Sequence, residues 1–187
     1  MITLWILIGA LVVTVLFVIA SYNRLISLKN QSLNGWKQID VQLKRRHDLI
    51  PNLVETVKGV MKFEQTTLTQ VIEARNKAIS AQGVAEKATQ ENALSGTLRQ
   101  LFALAENYPT LKSNDNVSRL QEELATTENK ISFARQFYND ISTQFNIALQ
   151  SFPTNLIANS FGFKAAELFE ITDPADKQVP KVDLNLG

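Results

Sequence analysis

The residues able to do chemistry are few. His47 is the only histidine and cysteine is absent. A thiolate zinc site, a disulfide, a cysteine nucleophile and any mechanism needing two imidazoles from one chain are therefore excluded. Di-metal helical bundles draw Glu-x-x-His pairs from facing helices, but the residue three before His47 is Lys44. There is no HExxH, no GxSxG nucleophile elbow and no phosphate-cradling GxxxxGK[ST]. Glu122 and Glu123 are sequence neighbours, so on a helix they point to different sides and form no paired-carboxylate site by themselves. The expectation is a protein that is not an enzyme and carries no catalytic residue, cofactor or metal.

Two groups of polar and charged residues remain. Lys44-Arg45-Arg46-His47 is the one basic cluster. Lys44, Arg45 and Arg46 form a candidate interaction patch for an acidic partner; in the alternative, Lys44 and Arg45 are solvated and Arg46 pairs with a carboxylate inside the fold. Glu64, Arg75, Asn129 and Arg135 fall on or beside apolar stripes, where unpaired charge is expensive. Ion pairs and amide contacts that set helix register are expected there, rather than a polar ligand site.

These side chains must be positioned by elements that the hydrophobic pattern reveals. The chain has 187 residues, 45% hydrophobic and 20% charged, which is globular composition. Its 19 bases against 18 acids exclude a strongly basic nucleic-acid binder. Ile2–Ala20 reads ITLWILIGALVVTVLFVIA, nineteen residues without a charge. As a helix it spans about 28 Å, close to a bilayer's hydrocarbon thickness. Residues 2–21 are thus expected to be an uncleaved membrane anchor. A signal peptide cut after Val18-Ile19-Ala20 is the competing reading, but no basic stretch precedes the apolar run. Trp5 and Tyr22 lie at its two ends, where amphipathic rings prefer the headgroup region. Arg24, Lys29 and Lys37 follow the span, and the positive-inside rule places the rest of the chain in the cytoplasm, with the N-terminus outside.

Beyond the anchor the apolar residues step by three and four. Leu25, Leu28, Ser32, Trp36, Ile39, Leu43 and Ile50 make one helical stripe, expected to end or kink before Pro51. Leu53 to Ile79 gives a second helix, returning as far as the first climbs, and Ala85 to Ala105 gives a third. Val117, Leu120, Leu124, Thr127, Ile131, Ala134, Tyr138, Ile141, Phe145, Ala148 and Phe152 form an unbroken heptad stripe, a coiled-coil-like pattern on a fourth helix over roughly 110–151. Phe133 and Phe137 widen that face and favour an intramolecular bundle. The predicted architecture is all-α: a transmembrane helix running into an antiparallel bundle of four long helices over residues 22–171, then a polar tail at 172–187. In the segment Phe152–Phe163, the side chains Leu156, Ile157, Phe161 and Phe163 either cap the bundle's base or contact lipid. Lys44 lies about 36 Å beyond Ala20 on a continuous helix, too far to touch that surface.

The assembled stretches resemble the LemA family. They are YNRLISLKNQSLNGWKQIDVQLKRRHDLIPNLVETVKGVMKFEQTTLTQVIEAR (Tyr22 to Arg75), ENYPTLKS, TENKISFARQFYND and FPTNLIANSFGF. The sequence departs from the family pattern at Gly35, where Ala is more frequent, and at Phe63, where His is. The resemblance implies a membrane-anchored, cytoplasm-facing helical bundle with no family active site to transfer. It also implies partners in the membrane, such as a membrane protease. The functional expectation is a scaffold or adaptor that forms a homo-oligomer or docks a membrane protein. The alternative is a lipid-contacting module acting through Phe152–Phe163.

Overall fold

A computed structural model describes residues 1–61 and 64–170. Phe63 and the polar tail lie outside the described residues. The fold is all-α, with no strand among the described residues. Its elements are α1 (Ile2–Lys58), α2 (Gln65–Ser80), α3 (Gly83–Ala105), the single turn α4 (Pro109–Lys112), α5 (Asp115–Gln150) and α6 (Thr154–Ser160). The described residues form two compact units, 1–44 with 127–168 and 45–126 with 169–170, so that α1 and α5 contribute to both.

The first unit is built on an antiparallel pair. Leu25 and Phe145 share one cluster, Ser32 and Ser142 share a buried 2.8 Å hydrogen bond, and Trp36 and Tyr138 rings lie 5.5 Å apart. Position rises along α1 as it falls along α5. The two helices come close at Gly35, where an added Cβ would lie 3.2 Å from the Tyr138 Cα. After α6 the chain turns through Gly162, at φ +68°. The Phe163 amide donates to the Ala158 carbonyl and the Gly162 amide to that of Asn159. This is a Schellman closure, and its left-handed position suits glycine. The strap that follows is held by α5. Asn146 exchanges two hydrogen bonds with the Ala166 backbone, at 2.8 and 2.9 Å, and the Tyr138 hydroxyl donates to the Glu167 carbonyl at 2.6 Å. Burial, with the nearby Glu167 charge, pushes the Tyr138 hydroxyl pKa up against an opposing hydrogen bond to Ser142.

The second unit closes over a larger apolar cluster, in which Ile50, Leu53 and Val57 of α1 join Leu68 and Val71 of α2. Leu94, Leu98 and Leu101 of α3 and Val117 and Leu124 of α5 complete it. Each such side chain stabilises the fold by about 1.5–3 kcal/mol on burial. Glu86 reaches back to accept the Gln82 amide at the start of α3. The Asn114 side chain accepts the amides of Asn116 and Val117. That N-cap explains why the last long helix starts at Asp115 and not near residue 110.

Two expectations are corrected. The first helix does not end before Pro51 but runs on to Lys58, which leaves α2 with only 16 residues. Proline at 51 has no N–H to give the His47 carbonyl four residues back. The Arg75 Nε, from α2, donates to that carbonyl at 2.7 Å and takes the missing donor's place. Second, Phe133 and Phe137 are not in the core: they are 73% and 43% exposed. The remainder of the α5 stripe is buried or half-buried as far as Ala148, and Phe152 at its end is exposed.

Candidate functional site

Three places gather the residues singled out by sequence. At the exit of the apolar span, Val18, Tyr22, Leu25 and Leu28 meet Phe145, Ala148 and Leu149 of α5 and Ile157 and Ala158 of α6. The Tyr22 ring lies 4.8 Å from that of Phe161 and 5.9 Å from that of Phe163. Phe163 also meets Phe145 edge-on at 6.3 Å, and the Lys29 ammonium sits over the Phe163 ring, 5.9 Å from its centroid. Ile157 is buried and is therefore withdrawn as a lipid contact: its amphipathic helix turns it toward Leu25. Phe163 and Tyr22 are half-buried. Leu156 and Phe161 stay outward, at 59% and 58% exposure, as do Trp5 within the apolar span and Phe152 at 81%. The segment thus caps the unit with one face and exposes aromatic and aliphatic side chains with the other.

The second place is a polar hub in the unit of residues 45–126. Arg46 of α1 forms an ion pair with Glu91 of α3, both fully buried, and donates to the Ser95 hydroxyl at 2.8 Å. The His47 Nε2 lies 2.8 Å from the other Glu91 oxygen. Burial alone would raise the Glu91 carboxyl, but the His47 hydrogen bond and the Arg46 charge outweigh it and hold the pKa below the ordinary 4.5. With Arg75 on the His47 carbonyl, the hub ties α1, α2 and α3 together. Arg46 therefore leaves the basic patch, since its guanidinium is 1% exposed. Lys44 and Arg45 stay on the surface, Arg45 with Glu123 at 3.8 Å. Glu64 accepts from the Tyr108 hydroxyl at 3.2 Å. Glu91 carried no signal in sequence, because a lone glutamate on a helix reads as solvated until its neighbours are known. No group of three metal-ligating side chains is drawn together among the described residues.

The third place was not foreseen. Val41 of α1 and Phe133 and Phe137 of α5 line an open groove of about 590 Å³ in the first unit, with Lys37 and Lys130 on it. The four-residue spacing of the two phenylalanines was visible, but it also fits a core position. Exposure alone separates the two.

Known proteins similar to this chain match it over most of its length. Magnetosome protein MamQ 2 of Paramagnetospirillum magneticum is 25% identical over 202 residues, covering 90% of this chain and 74% of its own length. Protein LemA of Metamycoplasma hominis is 25% identical over 155 residues, covering 81% of this chain and 69% of its own length. Magnetosome protein MamQ of Magnetospirillum gryphiswaldense is 22% identical over 196 residues, 91% of this chain and 72% of that relative. None of these names carries a catalytic activity. The family model of the LemA family matches residues 35–184, and the chain belongs to the LemA family.

Proposed function

We propose that this protein is a non-enzymatic, membrane-anchored scaffold or adaptor whose helical domain, residues 22–171, is presented to partners from the bilayer by residues 2–21. The carrying observation is that α1 runs unbroken from the apolar span into the fold. The most apolar eighteen-residue window of that helix has no buried residue. Side chains that find no protein partner in such a stretch find one in lipid. The polar groups that chemistry would use, Arg46, His47 and Glu91, are instead spent on one another inside the fold.

On this reading the protein is a single-pass inner-membrane protein with its domain in the cytoplasm, because Arg24, Lys29 and Lys37 follow the span. Ser113, exposed at the end of α4, is the probe. In a chain without native cysteine, Ser113→Cys is expected to resist an impermeant maleimide until cells are lysed. Labelling of intact cells reverses the orientation. Cross-linking in intact membranes is expected to return oligomers or adducts with a membrane protein; monomers alone would remove the adaptor role.

A second reading has its own support. Phe161 packs on Tyr22, two residues past the apolar span, while Phe152, Leu156 and Phe161 stay exposed, an arrangement suited to the lipid interface. Phe152→Asp with Phe161→Asp is then expected to weaken liposome binding by a chain lacking residues 1–21. Unchanged binding, or no binding by the parent chain, argues against lipid contact.

A further inference from the structure

We infer that the groove of the first unit is the docking site for an acidic, amphipathic helix of another protein. This deepens the adaptor reading and rests on it. Phe133 and Phe137 stand one turn apart on α5 with Val41 across from them on α1, and all three are exposed, at 73%, 43% and 63%. Below them the helix pair is already packed through Trp36 and Tyr138; the Phe137 ring also borders Gly35, whereas Phe133 turns most of its surface outward. The groove's volume of about 590 Å³ holds roughly three or four side chains of benzene size or larger. Those dimensions suit the anchors at positions i, i+3 or i+4 and i+7 of one helix laid along two others.

The charge selects the occupant. Both charged residues lining the groove, Lys37 and Lys130, are basic, and no carboxylate lines it. An apolar helix stripe flanked by Asp or Glu is therefore complementary. Lipid is a poor fit: Lys37 lies seventeen residues beyond Ala20 on one helix, about 25 Å past the apolar span. A second copy is also a poor fit. Two chains anchored in one bilayer and paired through this same face bring lysines toward their own symmetry mates, a like-charge arrangement.

The test uses the full-length chain in its own membranes, with the photo-cross-linking amino acid p-benzoylphenylalanine placed at Phe133, Ile79 or Phe152 in separate strains. The expected result at Phe133 is an adduct to a different protein whose cross-linked peptide is amphipathic and net negative. Its yield should fall about tenfold in Lys37→Glu with Lys130→Glu. An adduct of twice the chain's mass, an adduct to lipid, no adduct, or one indifferent to the charge reversal overturns the inference. Protein adducts at Ile79 or Phe152 but not at Phe133 leave the adaptor standing and remove the groove; none at any position removes both. If the charge reversal lowers the melting temperature, Phe133→Ser serves as the loss-of-binding variant, with the cross-linker moved to Val41.

Discussion

The two units bury polarity in opposite ways. In the unit of residues 45–126 a full ion pair, Arg46 with Glu91, is enclosed together with His47. In the other unit the polar residues classed as buried among the described residues, Ser21, Ser32, Thr127 and Ser142, are all neutral, and Ser32 meets Ser142 at 2.8 Å. A buried charge loses several kcal/mol of hydration and is tolerated only with its partners in place. A hydroxyl pair carries a much smaller penalty. The ionic unit is therefore conditional on every member of its hub. The neutral unit is more forgiving, and it is the one that exposes Phe133, Phe137, Phe152 and Phe161. Chemistry-bearing groups are paired inside one unit, and aromatic side chains are left exposed on the other.

The sharpest way to break this contrast is to remove one side of the ion pair. Glu91→Ala leaves Arg46 buried without its carboxylate and is expected to cost about 3–5 kcal/mol in chemical denaturation. Arg46→Met combined with Glu91→Leu should recover most of that loss. Equal losses in the single and double variants would mean that the hub is not a coupled unit.

The next effect follows from proline. Arg75→Met should cost about 1–3 kcal/mol, since it leaves the His47 carbonyl without a donor. In a Pro51→Ala background, where an amide returns at position 51, the same substitution should cost clearly less. An unchanged cost would show that Arg75 acts elsewhere.

Acid offers a separate probe. The Glu91 pKa in the folded state lies below 4.5, so its unfolded form binds protons first as pH falls. Its stabilisation is complete above about pH 4.5 and is lost as pH drops through the depressed folded value. Hydrogen-exchange protection should therefore fall earlier in residues 45–126 than in the first unit's helices. Simultaneous loss would contradict the contrast.

Smaller effects come from the first unit. Gly162→Ala forces a Cβ into a left-handed residue and should cost about 1 kcal/mol, loosening the strap over α5. Phe133→Ser, at an exposed side chain, should move stability by no more than about 0.5 kcal/mol. A large loss there would mean that the groove is part of the core.

Much of the architecture was legible because a helix repeats every 3.6 residues and one buried face is enough to show it. The α5 stripe and the unbroken apolar span followed from spacing, whereas spacing left Arg46 open between a surface patch and an inward ion pair. The ends of helices were less legible. Pro51 reads as a stop because the missing N–H is local, while its remedy, Arg75, lies on another helix. The last long helix starts at Asp115 rather than near residue 110 because the Asn114 side chain caps it, a contact that the apolar stripe does not encode.

What the sequence by itself determined is therefore what one-dimensional periodicity and local backbone chemistry can encode: the all-helical class, the apolar span, the buried face of each long helix, and the lack of a histidine or cysteine constellation. Only the tertiary structure decided which glutamate meets Arg46, which donor replaces the amide missing at Pro51, and which face of Phe152–Phe163 is covered. It also decided that Phe133 and Phe137 line a surface groove. Each of these depends on a neighbour distant in sequence, and the free energy of a polar or aromatic side chain is set by what surrounds it in space.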